Sequence, residues 1–168
     1  MDPQVFPAEL RELRQWMVWK NVDGKKIPLK YDGSAGKSND PETWTDFETA
    51  FQASKNFTGL AFVFSKDDPY VGVDLDDCFD GENENFTDWA AQIVGRFENV
   101  GYGEISPSGK GIKFITRGKK PKDSRCSNQI GVECYEHGRF WAMTGDVWND
   151  AEQITDGQKQ IDWLIEEH

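Results

Sequence analysis

"YVGVDLDDCFD", residues 70–80, decides how this chain is read. Successive side chains of a strand point to opposite faces, so Val71, Val73 and Leu75 share one face while Gly72, Asp74 and Asp76 share the other. Strands disfavour Asp, and two on one face repel. Their Cα atoms lie roughly 6–7 Å apart along the strand, and the apolar residues opposite anchor it to a core. A site for a hard divalent cation is built this way on a rigid element. The alternative is a solvated strand end running into an acidic turn, and Asp77 and Asp80 fall in that turn.

The same parity extends downstream. In "VECYE" (132–136), Val132 and Cys134 point inward and leave Glu133 and Tyr135 on the other face. In "GIKFITR" (111–117), Ile112 and Phe114 alternate with Lys113, Ile115 and Arg117. One sheet would then present Asp74, Asp76 and Glu133 beside Lys113 and Arg117. Three acids suit one or two Mg²⁺ or Mn²⁺ ions and the cations suit phosphate oxygens, the division of labour in phosphoryl transfer. Salt bridges across a half-exposed sheet are the plainer reading. Between two of these strands, "SPSGKG" (106–111) offers hydroxyls of Ser106 and Ser108 and the charge of Lys110. Gly109 and Gly111 there let the backbone approach a ligand and aim N–H groups at an anion. It lacks P-loop spacing.

Composition bounds the answer. The 168 residues, 37% hydrophobic and 13% aromatic, suit one folded domain over residues 1–168 rather than disorder. No apolar run approaches the ~18 residues of a membrane span, and "MDPQVFPAEL" lacks a signal-peptide pattern. A cytoplasmic protein with no membrane partner is expected. Cys78, Cys126 and Cys134 are odd in number without C-x-x-C spacing, which reads as reduced thiols. The net charge of −11 argues against nucleic acid, but its distribution does not. From Lys110 to Arg125 seven Lys and Arg face only Asp123, a local charge of +6. Lys119, Lys120 and Lys122 follow Gly118 in a loop where flexible lysines track a phosphate backbone.

Periodicity supplies the elements. "PAELRELRQW" (7–16) reads as a helix, then two strands around the Asp23-Gly24 turn. "PETWTDFETAFQAS" (41–54) and "NFTDWAAQIVGRFE" (85–98) read as helices, the second with Phe86, Trp89, Ala90, Ile93, Val94 and Phe97 on one face. "TGLAFVFS", "YVGVDLD", "GYGEIS", "GIKFITR", "QIGVECYE" and "RFWAMTG" are strands, and "GQKQIDWLIEEH" closes the chain as a helix. The class is α+β, a largely antiparallel central sheet flanked by helices.

The order of motifs resembles the archaeo-eukaryotic primase superfamily. A D-x-D strand ("VGVDLDDCFD") precedes S-x-S-G-x-G ("EISPSGKGIKFI") and then an acidic strand leading to G-R-F ("VECYEHGRFWAMTG"). Upstream, "KKIPLKYDGSAGKSNDPETWTDFETA" is similar to the segment found in primase-polymerase domains at the N-termini of phage and plasmid replication proteins. The resemblance implies an RRM-like sheet of the primase-polymerase type. It further implies Asp74, Asp76 and Glu133 as ligands of two Mg²⁺ or Mn²⁺ ions. Ser108 and Lys113 would contact the triphosphate, with Arg139 a further phosphate contact. Many members carry His where this chain has Lys113. Lys supplies positive charge but lacks the imidazole's rigid aim. The chain would be a stand-alone domain or the N-terminal part of a longer primase-helicase, with a replicative helicase in cis or in trans.

The leading expectation is a metal-dependent nucleotidyltransferase, a DNA primase or primase-polymerase adding NTPs or dNTPs on a single-stranded DNA template. Its catalytic set is Asp74, Asp76, Glu133 and Lys113. Nucleotide contacts are Ser106, Ser108, Gly109, Lys110, Gly111, Lys113 and Arg139, and DNA contacts are Arg117, Lys119, Lys120 and Lys122. A catalytically idle module of the same kind, binding single-stranded DNA or nucleotide, is the alternative. A divalent-metal nuclease using the same carboxylates is a third.

Overall fold

The computed structural model describes residues 1–80, 85–121, 130–149 and 153–168. In chain order the elements are α1 (Ala8–Arg11), β1 (Trp16–Val22), β2 (Lys25–Leu29), α2 (Phe47–Ser54), β3 (Gly59–Val63), β4 (Tyr70–Leu75), β5 (Phe79–Asp80) and β6 (Asn85–Phe86). There follow α3 (Asp88–Phe97), β7 (Tyr102–Ile105), β8 (Ile112–Arg117), β9 (Val132–Tyr135), β10 (Phe140–Met143) and α4 (Gln158–Glu167). The class is α+β with antiparallel strand pairing, as the alternating patterns predict. The strands do not form one sheet. They divide between two four-stranded sheets and a two-stranded ribbon, and the chain falls into two compact units.

The first unit comprises Met1–Asp67 and His137–Gly145. Its sheet has the order β10-β3-β1-β2. The β1–β2 hairpin turns at Asp23 and Gly24, both at positive φ, as the Asp-Gly signal requires. The helix expected over 7–16 stops at Arg11, because the sheet takes the residues after it. Trp16 exchanges backbone hydrogen bonds with Thr45 at 3.1 and 2.8 Å, and the Gln15 amide donates to the Val63 carbonyl at 2.8 Å. Tertiary pairing overrides a helical spacing of Leu10, Leu13 and Trp16. The helix expected over 41–54 is likewise divided. Pro41–Thr43 form a 3₁₀ turn, and the α-helix starts only after Asp46, whose carboxylate caps it by accepting from the Thr49 N–H at 2.9 Å. An Asp N-cap is among the strongest start signals. Phe6, Phe47 and Phe62 meet Trp16 edge-on at centroid distances of 5.8, 4.9 and 5.2 Å.

The second unit comprises Asp68–Glu136 and Asp146–His168. Its sheet has the order β7-β8-β4-β9. Val71, Val73, Leu75, Ile112, Phe114, Val132 and Cys134 form one face and pack on the apolar stripes of α3 (Ala90, Ile93, Val94, Phe97) and α4 (Ile161, Leu164). All thirteen are buried, and this is the core onto which the opposite face is built. Helix α3 starts at Asp88 rather than at Asn85. Asn85 and Phe86 pair with Asp80 and Phe79 instead, where the two Phe rings meet at 4.9 Å and both contact Trp148. Arg96 lies 4.0 Å from the Trp163 ring centroid, joining α3 to α4 by a cation–π contact. Among the described residues no helix is long and apolar enough to cross a membrane.

Candidate metal centre

Register places four charged side chains in one row across the second sheet. Glu104 on β7 lies opposite Lys113 on β8, Lys113 opposite Asp74 on β4, and Asp74 opposite Glu133 on β9. Directly opposed residues have Cβ atoms about 4.5–5.5 Å apart, so each group touches the field of the next. Asp76, one pleat further along, continues the same face. Ligand oxygens of Asp74, Asp76 and Glu133 lie within 4.8 Å of one another, so the three acids read from strand parity converge in space. A hard divalent cation takes such carboxylate oxygens. The donor set therefore fits Mg²⁺ or Mn²⁺ without any soft ligand.

The row lies deeper than the half-exposed sheet of the salt-bridge alternative. Asp74 is 9% exposed, Lys113 3% and Glu104 1%, whereas Asp76 is exposed and Glu133 partly so. Lys113 is thus no surface cation but one member of a buried charged row. Two tyrosines trim the row at its outer strands. Tyr102 donates its hydroxyl to Glu104 at 3.0 Å, and Tyr135 donates to Glu133. Each pair is spaced i, i+2 on one strand, and Tyr102 and Tyr135 fall in the next row with Ile115 and Gly72 between them. Burial first, then the neighbouring Glu104 charge, pushes the Tyr102 phenol far above its usual range, so it stays a donor. Glu104 and the two tyrosine pairings escaped the sequence reading. The signal was present: extending the parity to "GYGEI" puts Tyr102 and Glu104 on the face of Lys113.

The Ser-Gly turn abuts this row. Gly109 donates its N–H to the Ser106 carbonyl at 2.9 Å, Lys110 to the Ser108 hydroxyl at 3.2 Å and Gly111 to the Ser106 hydroxyl at 3.1 Å. The N–H groups expected to face an anion are therefore spent within the turn. Ser106 is buried, while the Ser108 hydroxyl and the Lys110 side chain are on its exposed part. The Lys110 carbonyl accepts from both Cys78 and Phe79 N–H groups, at 2.8 and 2.9 Å, which fastens this turn to the acidic one. Glycine is required on both sides of the Asp strand. A Cβ at Gly111 would sit 2.5 Å from the Leu75 carbonyl, and one at Gly131 2.8 Å from that of Asp76, with Gly131 at φ +82°. Asp76 donates its N–H to the Gly131 carbonyl at 2.8 Å, so its backbone is held at the end of the ladder.

The remaining expected contacts are dispersed. Arg117 is exposed at the far end of β8, opposite Tyr70 and four residues from Lys113, about 13 Å along a strand. Lys119 is exposed and Lys120 half-buried. The backbone of Lys119 exchanges hydrogen bonds with the Gln158 side chain at 2.8 and 2.9 Å, which anchors this stretch to the start of α4. Lys122 lies outside the described residues, as does Cys126. Cys78 and Cys134 are buried, and burial raises the Cys78 thiol to about 11. Arg139, exposed, belongs to the first unit. That unit also holds a cavity of about 260 Å³ lined in part by Ser38, Trp44, Ser65, Lys66 and His137, with none of the convergent acids.

No protein-family model matches the chain. It is 32% identical over 163 residues to a curated protein of Nitratiruptor phage NrS-1 named DNA primase-polymerase. The match takes in 93% of this chain, which spans 22% of the length of that relative.

Proposed function

We propose, for a chain related over nearly its whole length to a phage-type DNA primase-polymerase, that it is a metal-dependent nucleotidyltransferase domain. It adds NTPs or dNTPs to a growing strand on a single-stranded DNA template, as one catalytic domain over residues 1–168. The observation that carries the reading is the convergence of Asp74, Asp76 and Glu133 within 4.8 Å, in a chain with this relative. In the proposal these three carboxylates hold one or two Mg²⁺ or Mn²⁺ ions. A divalent cation there supplies positive charge to the triphosphate as charge builds on it.

The chain's own groups do the rest. Lys110 and the Ser108 hydroxyl, on the exposed part of the turn, bind triphosphate oxygens, and Lys113 adds charge from the buried row. Ser106, Gly109 and Gly111 serve this site by shaping the turn. Arg139 is a further phosphate contact, and Arg117, Lys119, Lys120 and Lys122 track the template backbone. Work in replication beside a helicase, in cis or in trans, and a cytoplasmic setting belong to the same proposal.

Incubation with labelled NTPs or dNTPs, a single-stranded template and Mn²⁺ or Mg²⁺ tests it. Template-length products that vanish with EDTA and with Asp74→Asn are the expected result. Shortened template would instead indicate a nuclease. One observation favours a second reading, a module that binds nucleotide or single-stranded DNA without joining. The cation in the usual histidine position, Lys113, is 3% exposed, which limits its reach to a substrate. Template binding without synthesis under every metal tried would select that reading.

A further inference from the structure

We propose that Glu104 is a positioning residue: it holds the Lys113 ammonium on the β7 side of the charged row and so keeps Asp74 available to a divalent cation. This rests on the metal site proposed above and adds a residue that the acidic triad does not contain.

A lysine that is 3% exposed needs a compensating anion, because an uncompensated buried charge is strongly unfavourable. Register gives Lys113 two such anions, one on each neighbouring strand: Glu104 and Asp74. Their consequences differ. An ammonium settled on Asp74 occupies oxygens that a metal ion needs and adds like charge beside that ion. On Glu104 it does neither. The triad side has the stronger pull, since three carboxylates gather there within 4.8 Å. A single carboxylate on β7 competes only if it is fixed and dry, and Glu104 is both. It is 1% exposed, and its carboxylate is tethered by the hydrogen bond it accepts from the Tyr102 hydroxyl at 3.0 Å.

The test has a metal-free arm and a metal arm. In metal-free protein labelled with ¹⁵N-lysine, a buried ammonium exchanges slowly enough to give a resonance, assigned to Lys113 by its loss in Lys113→Met. Glu104→Gln should shift or broaden that resonance while the thermal transition persists. In the second arm Mn²⁺ affinity is measured by titration. Glu104→Gln should weaken it about tenfold, whereas in the Lys113→Met background the same change should cost about twofold at most, the signature of two residues acting as a pair. Tyr102→Phe keeps the carboxylate and removes only the hydroxyl. It should move both readouts in the same direction by less, and it decides the matter if Glu104→Gln does not fold. An unmoved Lys113 resonance overturns the proposal. So does an equal loss of Mn²⁺ affinity with and without Lys113, since Glu104 would then be one more negative charge acting at a distance. A wild-type protein that binds no Mn²⁺ overturns the function proposed above, and the metal-free arm then decides Glu104 alone.

Discussion

Asp76→Asn should make the metal-free protein more stable and the metal-loaded protein less so. The change removes one of three like charges and keeps the shape of the side chain. Oxygens of Asp74, Asp76 and Glu133 lie within 4.8 Å of one another. At that separation two unit charges repel by about 0.9 kcal/mol in bulk water and about 3.5 kcal/mol at an effective dielectric of 20. Asp76 is exposed, so the lower figure is the guide for each of its two pairs, and salt screening removes part of it. A net gain of about 1 kcal/mol follows, which raises the melting temperature of a chain this size by about 2–4 °C. The backbone bond from Asp76 to Gly131 survives the substitution. With cation present the order reverses. Binding to the folded state alone stabilises it by about 2.7 kcal/mol when the ion is at a hundred times its Kd, and the variant forgoes most of this. Thermal melts followed by circular dichroism, in EDTA and in excess Mn²⁺, should show the two curves exchanging places. A variant that melts below wild type in EDTA, or a Mn²⁺ shift equal in both proteins, refutes the reasoning.

Glu133→Gln should weaken Mn²⁺ binding by about tenfold or more, since a hard cation needs the charge, while single-stranded DNA affinity changes little; parallel calorimetric and anisotropy titrations check it. Replacing Lys119, Lys120 and Lys122 by Gln should flatten the slope of log affinity against log salt by up to roughly 0.7 for each phosphate left unneutralised on a single strand, with an unchanged slope placing the nucleic-acid face elsewhere. Burial raises the Cys78 thiol from 9.0 to about 11, so the folded state favours the protonated form. The stability this gives is fully present below about pH 9 and is lost as pH rises toward 11. Cys78→Ala should flatten that alkaline decline in urea unfolding series, and in native wild type Cys78 should resist alkylation at pH 8.

Strand parity read the second unit well because each of its strands has one apolar face that fixes the register. Val71, Val73 and Leu75 on one side forced Asp74 and Asp76 to the other, and Val132 with Cys134 did the same for Glu133. Parity names the face but not its depth, so it carries no sign that Lys113 is 3% exposed. How far a face is buried depends on packing that a strand pattern does not encode. The division into two sheets was invisible for a related reason, since alternation carries no record of which strand pairs with which. Helix limits failed where long-range pairing competes with local spacing. Trp16 is in phase with Leu10 and Leu13, yet its backbone is bonded to Thr45. Asp46 is a legible N-cap inside "TWTDFETA", but Pro41 offers a competing helix start upstream, and local signals do not rank the two.

The Lys110 carbonyl, which accepts from Cys78 and Phe79 at once, has a consequence for anyone who would rebuild this protein. The stretches 76–79 and 106–111 are far apart in the chain but share one acceptor, so neither can be lengthened, shortened or recombined alone without leaving two amides to find new partners in a largely buried place. Homologous recombination between relatives, or loop exchange at the bench, should succeed only when both stretches come from the same parent. Chimeras that mix them should express poorly, and restoring the matching partner should rescue them.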